Sequence, residues 1–363
     1  MTLNSKLYYE RALNLHLPVT YLDDLSTVKC ELANRTYFFR GGFTPFNDGA
    51  SNSLSNSKYC FNKLLEKSGF PVAKSVFIER ADWPIVKKWP EKQLLQGLTY
   101  PLVAKPTLNT QGGKDVLCNI KNKQLLTEYL DKCFIEHPVM TLETFHPNLT
   151  AYRVLVFYNK VIGVVRREPA SVMGDGIHTI TELMAINNTK RALLNREMSL
   201  GDLVVDEEYL IRLEELGLSL EDIPTKNKVI TLCYNCNASR GGTRVSLGRS
   251  ICRENAKLAC EAAKLLNLNI VGFDILCEDI EVPILQSRGI IVEANYHPDI
   301  SLHEKPMYGT ATPVSHIILK KLIYQHPVAY CFHLLHTKYF HLFVMIKSAF
   351  IVLLGITLAS LML

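Results

Sequence analysis

Apolar and polar positions along the chain fall into three regimes. Residues 1 to about 50 carry short apolar stretches, Val19 to Leu22 and Thr36 to Phe39, cut by turn residues, which predicts a small leading unit rather than a domain. The polar Ser/Asn run Asn47 to Ser57 then reads as a linker or mobile loop. From there the pattern is that of a folded α+β chain. Tyr59 to Lys67 predicts a helix closed by Gly69 with Pro71 just beyond, and Tyr100 to Lys105 an apolar strand ending in a lysine and running into Pro106 to Gly113. Arg153 to Tyr158 and Val161 to Arg166 predict a hairpin about the Asn159-Lys160 turn. Helices follow at Ile180 to Ile186, Glu207 to Leu216 and Arg249 to Leu266, the last with Ala256, Ala259, Cys260 and Ala263 at helical spacing. Ile270 to Asp274 and Gly289 to Asn295 are strands.

The third regime is the tail. From Tyr339 to Leu363 the chain is almost wholly apolar, with His341 and Lys347 as its strongly polar interruptions. The stretch from Ser348 falls short of the ~20 residues that span a bilayer, and becomes long enough once Lys347 is allowed to snorkel. Lys320, Lys321 and Lys338 before it fit a positive cytoplasmic side. This predicts a transmembrane helix over 339–363 that anchors a cytoplasmic catalytic part. The alternative is a helix buried in the fold or in a homo-oligomer.

At 363 residues the chain is long enough for about two domains. Forty Lys plus Arg against 35 Asp plus Glu give a net charge of +5 without a long basic run, so no nucleic-acid partner is expected. Ten cysteines lack framework spacing and Met1 to Leu17 lacks the apolar core of a signal peptide, which favours a reducing compartment. Cys233 and Cys236 form a lone C-x-x-C, two ligands where a structural zinc site takes about four.

The chemistry concentrates late in the chain. Asp274 ends one strand, and Glu293 and Asn295 stand two apart on one face of the next. Acids on otherwise apolar strands are costly to bury without compensation, and a hard cation with oxygen ligands supplies it; otherwise they face solvent or pair with a nearby arginine. Earlier, Lys105 ends its strand just before Gln111, Gly112, Gly113 and Lys114, so a cation and backbone N–H groups converge as a phosphate site requires. Neither a P-loop nor a dinucleotide-binding fingerprint is present.

On these residues the chain resembles the ATP-grasp carboxylate–amine ligases, and among them the ATP-grasp modules of cyanophycin synthetase and of the bifunctional glutathione synthetases. Asn62 to Leu65 with Gly69 to Val72 resembles the lysine-bearing helix and its "G-x-P-V". Pro101 to Pro106 resembles the phosphate-lysine strand. Tyr152-Arg153, Arg167 to Ala170 and Gly174 to Ile180 resemble "Y-R … R-x-P-A-x-V-x-G-D-G-x-H-T-I". Asn237, Ser239, Gly241 and Gly242 follow "N-x-S-x-G-G", and Glu293 to Pro298 with His303, Pro306 and Gly309 follow the closing metal-site motif. The likeness covers about residues 57 to 325.

The resemblance implies an α+β ATP-grasp fold, two α+β lobes clamping ATP. A leading segment and linker would take 1–56, the N-lobe 57–140 and the C-lobe with its metal site 141–325. It further implies phosphate contacts from Lys105 and from Lys63 or Lys58, lids that include Gly112 and Gly113, and Glu143 at the adenine hinge. Asp274, Glu293 and Asn295 would bind two magnesium ions, a set that manganese also suits. Arg153, Arg244 and Arg240 would grip the reacting carboxylate or acyl phosphate. The implied reaction is ATP-dependent amide formation between a small-molecule carboxylate and an amine. Three departures bear on it: Ala151 stands where these proteins carry an acid, Cys233 where they carry an arginine, and Lys58 and Lys63 are five apart rather than four. They leave open a second function, an ATP-binding pseudoenzyme or scaffold at a membrane.

Overall fold

A computed structural model describes residues 1–107, 115–194 and 200–361. The chain divides into two compact units, Met1–Pro45 with Pro313–Leu363, and Phe46–Thr312. In the first, the helix Leu3–Asn14 is capped by Thr2, whose hydroxyl accepts from the Ser5 N–H at 3.3 Å. Three antiparallel strands follow, Val19–Leu22, Thr27–Leu32 and Arg35–Phe39. Tyr8 packs on Phe39 with ring centroids 4.9 Å apart. The helices Val314–Gln325, Pro327–Thr337 and Phe340–Leu361 complete this unit, the first of them packed on Leu3–Asn14. The first part of this unit ends at Pro45, within the leading segment and linker expected over 1–56, and its second part starts at Pro313, before the expected C-lobe end at 325, because two helices far apart in sequence pack together here.

In the second unit the expected loop at 47–57 is the helix Gly49–Asn56. Asp48 caps it by accepting from Ser51 N–H at 2.9 Å, and Ser55 donates to the Ser51 carbonyl. These local side-chain bonds outweigh the weak helix propensity of a Ser/Asn run. Asn47 clamps its start, donating to the carbonyls of Ile270 at 2.8 Å and Tyr296 at 3.0 Å.

A four-stranded antiparallel sheet runs in the order Ser75–Glu79, Val139–Thr144, Leu102–Pro106, Leu117–Ile120. The helix Lys123–Glu136 covers it, burying Leu126, Leu130, Cys133 and Phe134 at helical spacing. The N-lobe boundary expected at 140 therefore cuts a central strand of this sheet. A second sheet has six strands in the order Gly289–Asn295, Ile270–Cys277, Thr150–Phe157, Lys160–Glu168, Thr243–Ser246, Tyr308–Gly309. Its expected hairpin turns at Tyr158-Asn159, both with positive φ, the geometry that matches strand twist. One face is sealed by the helix Arg253–Leu265 through Ala259, Ala262 and Ala263, and by Lys58–Lys67 through Phe61 and Leu65. Between Glu168 and Thr243 a smaller module packs the helices Ile180–Leu194 and Glu207–Glu215 against the strand pair Ser171–Met173 and Val229–Thr231.

Candidate functional site

Strand register decides which charged side chains meet. In antiparallel pairs, directly opposed residues share a face. Asp274 is opposed by Arg153 on one side and by Glu293 on the other, and Arg167 is opposed by Arg244. Arg153 itself is opposite Val165, two residues from Arg167. One face of the six-stranded sheet thus carries a row, Glu293, Asp274, Arg153, Arg167, Arg244, drawn from five adjacent strands.

The centre of the row is tightly bonded. Arg153 Nε donates to Asp274 Oδ1 at 2.5 Å and its Nη2 to Oδ2 at 3.2 Å, while Arg167 Nη1 reaches Oδ2 at 3.0 Å. Burial by itself drives the Asp274 carboxyl up; the two guanidiniums outweigh it and hold the group below the ordinary carboxylate value. Burial likewise opposes charge on Arg153, and Asp274 overcomes it. For Arg244 burial wins and the pKa falls, with Asp299 opposing. Gly272 makes room for this packing, since a Cβ there would stand 2.9 Å from Arg153 Cδ.

Facing charges come from the other sheet and the helix Lys58–Lys67. Lys105 Nζ lies 2.6 Å from Glu143 Oε2, both side chains nearly buried. Lys58 is close enough to feel Glu293, Lys105 and Glu143; burial lowers its pKa and the two acids oppose that. Lys63 is instead on the helix's outer side, paired with Glu66 at 2.8 Å, so Lys58 is the lysine this helix brings to the site. Arg240 is not in the row: its guanidinium bridges Asp206 and Glu208, the latter at 2.8 Å, and so ties the small module together. Gly112 and Gly113 lie outside the described residues.

Asp274, Glu293 and Asn295 offer oxygen donors, the chemistry that suits a hard divalent cation. Asp274 shares its oxygens with two arginines, and Asn295 donates to the Gly272 carbonyl at 3.2 Å, which leaves its amide oxygen as the donor for a cation. The donor set fits magnesium.

Two residues whose sequence context is ambiguous have clear places. Arg167 joins the row, and Arg166, of opposite facing, pairs with Glu168 at the surface. Strand alternation with Val165 carries that signal. His303 packs onto Gly163, where a Cβ would stand 2.5 Å from its Nδ1. It is buried, and burial together with Arg153 pushes its pKa down to about 3. A base depressed on folding is neutral in the native state while the unfolded chain takes a proton below about 6.5. Stability contributed by His303 is therefore lost between pH 6.5 and 3. Lowering the pH from 7 to 5 should cost about 2 kcal/mol by this group, and His303→Phe should flatten that part of a denaturant-midpoint profile; an unchanged slope would refute the burial-driven account.

A cavity of about 650 Å³ opens beside this sheet, lined among others by Ala151, Arg167, Arg212, Cys233 and Tyr234. Its size is that of small-molecule sites. Two of the three departures noted in the sequence, Ala151 and Cys233, thus line one cavity. Burial holds the Cys233 thiol up at about 12, so it is a neutral wall.

Comparison with known proteins decides the fold. The bifunctional glutathione synthetase of Pasteurella multocida superimposes with a TM-score of 0.62 over 90% of this chain and 44% of that one, at 23% identity. The fold is ATP-grasp. In sequence the chain is 32% identical over 226 residues to a cyanophycin synthetase of Crocosphaera subtropica, covering 61% of this chain and 26% of that protein. It is 26% identical over 290 residues to the glutathione biosynthesis bifunctional protein of Pasteurella multocida, covering 79% of this chain and 38% of that protein. No family model matches. The chain spans between about a quarter and two fifths of the curated relatives it matches, and it resembles their ATP-grasp ligase modules.

Proposed function

We propose that this protein is an ATP- and magnesium-dependent, ADP-forming ligase that joins a small carboxylate, an amino acid or short peptide, to an amine. The observation that carries this reading is the acid–arginine row with Lys58 and Lys105 facing its acidic end. Phosphoryl transfer needs positioned positive charge more than covalent help. In the first step a carboxylate oxygen attacks the γ-phosphorus, the bond to the bridging oxygen breaks, and ADP leaves with that electron pair. In the second, an amine attacks the acyl carbon, phosphate departs and the nitrogen gives up a proton. Lys105 and Lys58 hold phosphate oxygens, Glu143 meets the adenine side, and Arg153, Arg167 and Arg244 orient the carboxylate and its acyl phosphate. Asp274, Glu293 and Asn295 would hold two magnesium ions, which when bound neutralise phosphate charge.

The helix Phe340–Leu361 contains a 19-residue apolar stretch, Phe340–Leu358, of mean hydropathy 2.1 with none of it buried. We read it as a membrane anchor with the catalytic unit on the cytoplasmic side, in keeping with Lys320, Lys321 and Lys338 before it. Calorimetry of the detergent-solubilised full chain should show ATP binding that chelation of magnesium weakens at least about tenfold. Binding of equal strength without the metal would refute the metal-dependent site. A second reading, a nucleotide-binding scaffold, is favoured by Asp274 having both oxygens on arginines and by Ala151 and Cys233 in one cavity; it predicts thermal stabilisation by ATP without ADP release for any substrate pool.

A further inference from the structure

The helix Pro327–Thr337 buries none of its residues. Val328, Cys331, Phe332 and Leu335 recur at i, i+3, i+4 and i+7, one apolar stripe, and with Pro327 they line a shallow apolar hollow. The other side is tied down. Tyr330 donates from its hydroxyl to the Leu15 carbonyl at 2.6 Å, His326 Nε2 meets the Tyr37 hydroxyl at 2.5 Å, and Lys338 Nζ meets His16 Nε2 at 2.9 Å.

We propose that this helix lies in the surface layer of a phospholipid bilayer, its stripe inserted at the boundary between headgroups and the upper acyl-chain segments and Lys338 in the phosphate layer. The proposal rests on the membrane reading of Phe340–Leu358 and adds a second contact to it. Connectivity supplies the argument. Between this helix and the apolar one stand Lys338 and Tyr339 alone, and two residues reach at most about 7 Å. The end of Pro327–Thr337 is therefore held within the headgroup layer, which is several ångströms thick on each side of the hydrocarbon. A helix held there with one tethered side and one apolar side is stabilised by turning the apolar side into the lipid. Tyr339 at the junction is one of the aromatic types that settle at this depth, and Lys338, 5.6 Å from its ring centroid, supplies charge complementary to lipid phosphate.

Cys331 sits on the stripe and is the exposed cysteine of the ten, the others being buried or half-buried. The full chain, reconstituted in vesicles of phosphatidylcholine with phosphatidylserine, can carry an environment-sensitive fluorophore there, with Cys331→Ser protein as the labelling background. The expected result is quenching by lipids brominated near the headgroup and iodide quenching about fivefold weaker than for the free dye. Val328→Glu with Phe332→Glu should restore iodide access while the chain still resists carbonate extraction. Full iodide access in the unsubstituted chain, with carbonate resistance kept, overturns the proposal and leaves the anchor standing. Efficient Cys331 cross-linking between copies overturns it in favour of a helix pair. Release by carbonate overturns both the proposal and the anchor, and leaves the ligase reading untouched.

Discussion

Lys105→Met should destabilise the protein by about 3–5 kcal/mol, measured as the shift in a denaturant midpoint at neutral pH. The reason is the neighbour. Glu143 Oε2 lies 2.6 Å from Lys105 Nζ and both side chains are about nine-tenths buried, so removing the cation strands a carboxylate in a place where water cannot replace its partner. Replacing both, Lys105→Met with Glu143→Gln, removes the stranded charge and should recover most of the loss. The two variants differ in stability and not in function: each loses the Lys105 phosphate contact, so neither should bind ATP as the unsubstituted chain does. A double variant no more stable than the single one would show that the pair is not the buried ion pair described.

The second large effect is expected at Asp274. Asp274→Asn keeps the shape but turns an amide toward Arg153 and Arg167, two guanidiniums then left close together without their counter-charge. The loss should again be about 3–5 kcal/mol at neutral pH. Its pH dependence has a definite sign. Asp274 has a native pKa below the ordinary value, so its stabilisation is present above about pH 4 and is lost as the pH falls through that lowered native pKa. The difference between the unsubstituted chain and Asp274→Asn should shrink in that acid window and stay constant above it. A difference that grows with acid would contradict the pairing.

Much of this site is legible in the amino-acid sequence, and the parts that are not have identifiable causes. Arg153, Asp274, Glu293 and Lys105 stand out because a charge on an otherwise apolar strand is costly unless it is used. Their partners cannot be read so directly, because pairing is set by strand order: Arg153 and Asp274 are adjacent since two strands far apart in sequence lie side by side. The lysine that the helix Lys58–Lys67 brings to the site is decidable from phase. Phe61 and Leu65 define the buried face, and Lys58, three and seven residues before them, shares it, whereas Lys63 does not. The place of Arg240 outside the row is not legible because Asp206 and Glu208, its partners, approach it only when the small module folds. The helix Gly49–Asn56 is hidden by composition, since its stability comes from side-chain caps and from Asn47 bonding to the distant Ile270 and Tyr296. The helix Leu3–Asn14 and its pairing with Val314–Gln325 join the two ends of the chain, a contact that local pattern does not encode.

The most direct test of the account is ADP release by the solubilised full chain with ATP and magnesium, offered pooled amino acids and dipeptides, alongside Glu293→Gln. The row with its facing lysines predicts release that depends on a particular pool and falls at least about a hundredfold in Glu293→Gln. ATP binding with no pool-dependent release, or release indifferent to Glu293, would contradict the ligase assignment.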